Sequence, residues 1–233
     1  DSTGDFFAED MVKGAVVGAL GGALMGGLIG GDWKAAAIGA VAGAAIGATA
    51  GYYQHLQQQS QDQAVLYNTV LSDLQRENAQ IDKAQLAFNQ LVDCRQNEAN
   101  KVRADYKAGR LPREAADARM ANLRRQYQSD IELARLVNEN MTKRGANFEF
   151  ANEQINPGTT QTVAQIAQTQ VQAPRPTSTA PRPAAPKPVK TAAATPQQSQ
   201  VLEQTATNQA KRSSYKQSVE TAAANGNAGF VLS

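Results

Sequence analysis

The chain carries one cysteine, Cys94, and one histidine, His55. That inventory excludes a Cys/His zinc site built by a single chain and any disulfide within it. Cys94 lies beside a helical seam, where a free cysteine is a packed side chain or, in an oxidising compartment, a link between subunits. His55 stands among glutamines and reads as an interfacial polar residue rather than a catalytic base. No P-loop, dinucleotide fingerprint, nucleophile elbow or HExxH occurs. The glycine-rich start could be mistaken for a phosphate cradle, but it lacks the Gly-Lys-Ser/Thr end and a strand–helix context. The charges of the middle region include Asp73, Arg76, Glu77, Asp82, Lys83 and the group Arg119, Arg124 and Arg125. They alternate in sign over most of it, as on a solvated face with local ion pairs. The expectation is a protein that is not an enzyme and takes no metal or cofactor.

Stepping outward to the elements, composition is spread unevenly over the 233 residues. Thirteen of the 18 glycines fall within the first 51 residues, and seven of the nine prolines fall between Pro174 and Pro196, so one mixed core is not expected. The formal net charge of +2 gives no argument for nucleic acid as a partner. With Asp1 in first place, a leader cleaved ahead of it would make the protein exported.

The glycines carry the strictest pattern. Gly14, Gly18, Gly22, Gly26 and Gly30 are spaced by four, and Gly39, Gly43, Gly47 and Gly51 repeat the spacing. Residues four apart share a helix face, so each helix would present a strip without side chains, along which two backbones approach closely in lipid. The two runs flank the polar break Asp32-Trp33-Lys34. Each is roughly 27–29 Å long as a helix, close to the hydrocarbon thickness of a bilayer. Trp33 in the turn, with Tyr52 and Tyr53 at the far end, takes the position of membrane-interface aromatics. In water, glycine costs about 1 kcal/mol per helical position relative to alanine, so eight glycines between Gly14 and Gly31 would melt a soluble helix. In lipid the helix persists, because unpaired backbone groups are costlier there.

The segment GALGGALMGGLIGGDWKAAAIGAVAGAAIGATAG resembles the glycine-zipper two-transmembrane segment of small bacterial envelope proteins, such as the rickettsial surface antigen and SlyB-type outer-membrane lipoproteins. The resemblance covers about residues 14–51. It implies a Gram-negative envelope, often the outer membrane, and packing or assembly rather than catalysis. The second run has few strongly apolar residues, Ile38, Val41 and Ile46, and is a marginal stop signal at the inner membrane. That favours the outer membrane, with the inner membrane as the other choice.

Beyond the hairpin, Tyr67, Leu74, Ile81, Phe88 and Val102 are spaced by seven or its multiple, with Arg95 interrupting. They predict a coiled-coil seam. Its second column contains Leu71, Val92, Ala99 and Tyr106 and is bordered by Val70, Ala84 and Leu91. The helix is expected to run unbroken from the second membrane run to about Ala108. Gly109-Arg110-Leu111-Pro112 ends it, and a second helix follows to about Arg144, with Met120, Tyr127, Ala134 and Met141 in one column. An antiparallel helical hairpin projecting from the membrane is the favoured arrangement, and a straight rod paired with other subunits is the alternative. Residues 147–196 are expected to form an extended, Pro-rich linker, within which Thr159 to Gln172 is open between helix and strand, and residues 197–233 a short helix and tail in which Phe230-Val231-Leu232 could dock.

The expected fold is therefore all-α. Residues 1–11 are an N-terminal segment, 12–53 a glycine-zipper transmembrane hairpin, and 54–146 an antiparallel coiled-coil-like hairpin. The expected function is that of a homo-oligomeric scaffold component of a bacterial envelope assembly, with a periplasmic coiled coil. Its expected partners are the lipid bilayer, further copies of itself and other envelope proteins. The alternative is a pore- or channel-forming ring, against which stands the lack of a polar stripe beyond Thr49 in either run.

Overall fold

The computed structural model describes residues 51–172, 195–226 and 228–232. Among them there are only helices: α1 (Gly51–Gln59), α2 (Gln63–Lys107), α3 (Arg113–Ile155), α4 (Thr160–Gln172) and α5 (Pro196–Gly226), then a 3-10 turn at Ala228–Phe230. The expected membrane hairpin lies outside the described residues apart from positions 51–53, and so do most of the Pro-rich stretch, residues 173–194, and Asn227.

Helix boundaries follow local chemistry. The unbroken helix expected through to Ala108 is interrupted at residues 60–62. There Asp62 Oδ1 accepts from the backbone N–H of Ala64 (2.8 Å) and Val65 (3.3 Å), and so caps the start of α2. The α2–α3 turn forms as the sequence predicts. Gly109 adopts φ 69°, its N–H donates to Tyr106 O, and Arg110 N–H donates to Asp105 O, which is the Schellman pairing. Thr195 and Gln198 cap α5 reciprocally: Thr195 N–H donates to Gln198 Oε1 (2.8 Å) and Gln198 N–H to Thr195 Oγ1 (3.3 Å), with Pro196 at the first helical position.

Two expectations are corrected. Helix α3 does not end near Arg144 but continues to Ile155, and residues 160–172 form α4, where an extended linker was expected. The reason is that Phe148 and Ile155 prolong the seven-residue spacing of Met120, Tyr127, Ala134 and Met141, and all six are buried. The short C-terminal helix is instead a 31-residue element. Along it Val201, Thr205, Asn208, Arg212, Tyr215, Val219, Ala222 and Gly226 are buried at alternating spacings of four and three, a heptad in which three members are polar. The predicted two-helix hairpin is thus joined by a third helix.

The chain divides into two compact units, to each of which α2, α3 and α5 contribute. The first contains described residues 51–79, 142–172 and 195–213. Its main core joins Tyr52, Tyr53 and Leu56 of α1 to Leu66, Val70 and Leu74 of α2, to Phe148, Ala151 and Ile155 of α3, and to Val201 of α5. A smaller cluster packs Val163 of α4 on Leu202 and Ala206 of α5. The second unit contains described residues 80–141 and 214–232. Its core joins Ile81, Ala84, Phe88 and Val102 of α2 to Met120, Tyr127, Ile131 and Met141 of α3 and to Tyr215, Val219 and Phe230.

Candidate functional site

Among the described residues no group of three or more His, Cys, Asp or Glu side chains could hold a metal. Cys94 is free and exposed on α2. His55 Nε2 lies 3.0 Å from Gln59 Nε2, one turn along α1. The specific chemistry of the bundle is instead in its buried polar contacts, which hold helices together.

In the first unit, Glu77 of α2 and Arg144 of α3 form an ion pair that is almost wholly buried, with Nε and Nη2 each 2.9 Å from Glu77 Oε1. Beside Glu77 in sequence, Asn78 Nδ2 donates to the side-chain Oε1 (3.0 Å) and the backbone O (3.2 Å) of Gln204 on α5. Asn78 Oδ1 accepts from Asn208 Nδ2 (3.0 Å), and Asn208 Oδ1 accepts from Arg212 Nε (2.8 Å). Arg212 also pairs with Glu149 of α3. A side-chain bond sequence therefore runs from α2 through α5 to α3. It passes over Gly145 of α3, where a Cβ would displace the Arg212 guanidinium from its present position. Such a connected polar layer specifies one register among many apolar ones.

The same unit grips the end of the glycine-rich region. Tyr52 is fully buried, its ring meets Phe148 edge-on at 5.1 Å, and its hydroxyl donates to buried Asp73 at 2.7 Å. Tyr53 is buried beside it, and Gly51 is the first residue of α1. Tyr52 and Tyr53, expected from sequence at a membrane interface, are thus covered by protein.

In the second unit, three successive carbonyls after α5 meet two arginines. Arg103 of α2 donates through Nε to Val231 O (3.1 Å) and through Nη2 to Gly229 O, while Arg124 Nη2 of α3 donates to Phe230 O (2.8 Å). The Phe230 ring is buried against Tyr127 (5.1 Å between centroids), whose hydroxyl donates to Ala222 O at 2.8 Å. Burial pushes the Tyr127 hydroxyl pKa up, and burial raises that of Tyr215 further, so both stay neutral. Arg95 of α2 reaches the buried Asp130 of α3 at 2.9 Å. Burial works against its charge, but hydrogen bonds and attraction from Asp130 and then Glu98 outweigh it, holding the guanidinium above its ordinary value. On the surface, Arg135 pairs with Glu220 of α5 at 2.9 Å.

Of the predicted seam residues, Leu74 is buried in the first unit, Ile81, Phe88 and Val102 in the second, and Tyr67 is half-buried against the first core. In the second column Ala99 is buried as expected and Tyr106 is half-buried, while earlier along α2 the bordering Val70, Ala84 and Leu91 are buried and Leu71 and Val92 only half-buried. The solvated reading of the charges is corrected at Asp73 and Glu77, which are buried. Their spacing was the available signal, since Asp73 and Glu77 share the inward side of α2 with Val70, Leu74 and Ile81. Arg124, half-buried, contacts the C-terminal segment, whereas Arg119 and Arg125 are exposed.

None of the described helices is long and apolar enough to cross a membrane. Residues 6–55 match the family model of the YMGG-like Gly-zipper. The match takes in the four-residue glycine spacing and ends inside α1, so a Gly-zipper segment leads directly into the helical bundle. No curated protein and no solved structure matches the chain.

Proposed function

We propose that this chain is a membrane-embedded, homo-oligomeric structural component of a bacterial envelope assembly. In this reading residues 12–51 form a two-helix hairpin in the bilayer, in the manner of the rickettsial surface antigen and SlyB-type proteins, and the chain leaves the bilayer where Tyr52 and Tyr53 enter the protein core. The strip Gly14, Gly18, Gly22, Gly26, Gly30 packs within or between hairpins against the strip Gly39, Gly43, Gly47, Gly51. The bundle of α2, α3 and α5 stands in the periplasm, with the outer membrane as the preferred site. The observation that carries the reading is the Gly-zipper match over residues 6–55 together with the unbroken four-residue glycine spacing. Close backbone approach along such strips gives dispersion and Cα–H···O contacts that lipid cannot match. The buried polar layer is a connector of helices and accords with a scaffolding role. Partners in this reading are lipid, further copies and other envelope proteins.

The test is the double variant Gly22→Leu with Gly43→Leu. Both substitutions add hydrophobicity while filling the strips, so membrane association should persist and the particle mass after gentle detergent extraction should fall. An unchanged particle mass would remove the strips as the assembly surface. Sedimentation of the wild-type protein wholly with inner-membrane markers would remove the outer-membrane placement.

A further inference from the structure

We infer that residues 196–232, helix α5 with the segment that follows it, form an exchangeable docking module whose partner in the assembled protein is a second copy of this chain. The inference rests on the homo-oligomeric reading above and adds to it a second contact between copies, outside the glycine strips. Three observations carry it.

First, the module is held by a discrete set of ties to α2 and α3. In the first unit these are Asn78 to Gln204 and Asn208, and Glu149 to Arg212. In the second they are Arg135 to Glu220, Tyr127 to Ala222, and Arg103 and Arg124 to the carbonyls of residues 229–231. All of these receiving groups lie on α2 and α3, so any copy presents the same set of polar partners. The aligned amide and guanidinium contacts fix the register in which an incoming α5 can seat.

Second, α5 starts autonomously. The reciprocal Thr195–Gln198 cap satisfies its first backbone donors without help from the preceding chain.

Third, the tether is far longer than docking within one copy requires. Helix α4 packs alongside α5 through Val163 on Leu202 and Ala206, and Gln170 meets Thr207 at 3.4 Å. That pairing puts Gln172 level with Gln209, 14 residues beyond Thr195, a distance of about 21 Å along the helix. The intervening residues 173–194 number 22, enough to reach roughly 70 Å when fully extended. A tether of that length reaches a neighbouring hairpin held nearby by packed glycine strips, and exchange of an identical element costs little because the contacts are conserved.

The test uses full-length protein in its extracted assembly, in a Cys94→Ser background. Arg135→Cys and Glu220→Cys are carried on separately tagged chains that are co-expressed. Both positions are half-exposed and form a surface pair, so neither substitution threatens folding. A short bis-maleimide linker is then added. The two tags co-purifying with a linked two-chain band supports exchange. Co-purification without that band overturns the exchange while leaving the homo-oligomer standing. Failure of the tags to co-purify overturns both. A chain carrying both cysteines supplies a second readout: a ladder of linked copies under exchange, and linked monomer alone if α5 docks only within its own copy.

Discussion

Glu77 and Arg144 are buried against each other in the first unit, each with under a tenth of its surface exposed. Taking both charges out of water offsets much of their attraction, so the pair adds little net stability, whereas stranding one partner is costly. Arg144→Met alone is therefore expected to destabilise the protein by about 3–5 kcal/mol. Glu77→Leu combined with Arg144→Met should recover most of that loss. Urea unfolding followed by circular dichroism checks both, and equal losses in the single and double variants would refute the argument. Glu153 at the α3–α4 turn behaves differently, because it is charged at the surface. The Thr160 hydroxyl first, and then the Gly158 N–H, hold its carboxylate below the ordinary pKa. A carboxyl lowered in the folded state contributes stability above its unfolded pKa and loses it as pH falls through the folded value. The melting-temperature gap between the wild type and Glu153→Gln should thus be open at neutral pH and close below about pH 4. Single polar residues were the least legible feature of the sequence. Asp73 and Glu77 keep the inward spacing of Val70, Leu74 and Ile81, but their charge reads as surface until Tyr52 and Arg144 are placed against them.

Among the elements, the turn between α2 and α3 was the most legible. Gly109 followed by Pro112 dictates a stop and a restart, and Gly109 takes φ 69° with open space where a Cβ would be. Only backbone strain opposes a side chain there, so Gly109→Ala should cost about 1–2 kcal/mol, seen as a lowered melting temperature without loss of helix content. The α2 seam was legible for the same reason that it is stable: Leu74, Ile81, Phe88 and Val102 keep one period and are buried. What the apolar pattern concealed was the third helix. On α5 the inward positions include Thr205, Asn208 and Arg212, which a count of hydrophobic residues discards, although their spacing continues that of Val201, Tyr215 and Val219. The end of α3 was misplaced by the charged and polar stretch around Arg144 and Asn147, both of which are buried and partnered rather than solvated.

For the molecule as a whole, composition sets a glycine-rich start apart from the rest of the chain, whose described residues are mainly helical. In the proposed reading the glycine strips pack by backbone approach, whereas the described cores are built mainly from Phe, Tyr, Leu, Ile, Val, Met and Ala. Substitutions in the first region should therefore leave the second intact. The Gly22→Leu and Gly43→Leu variant is expected to keep the melting temperature of the described helices while its particle mass drops.

The burial of Tyr52 and Leu56 has a mechanical corollary. A swivel at that point would let the first unit turn independently of α1. Instead the hydroxyl tie to Asp73 and the ring contact with Phe148 weld α1 to its neighbours. Torque applied to α1 is then transmitted to the first unit rather than lost at its entrance.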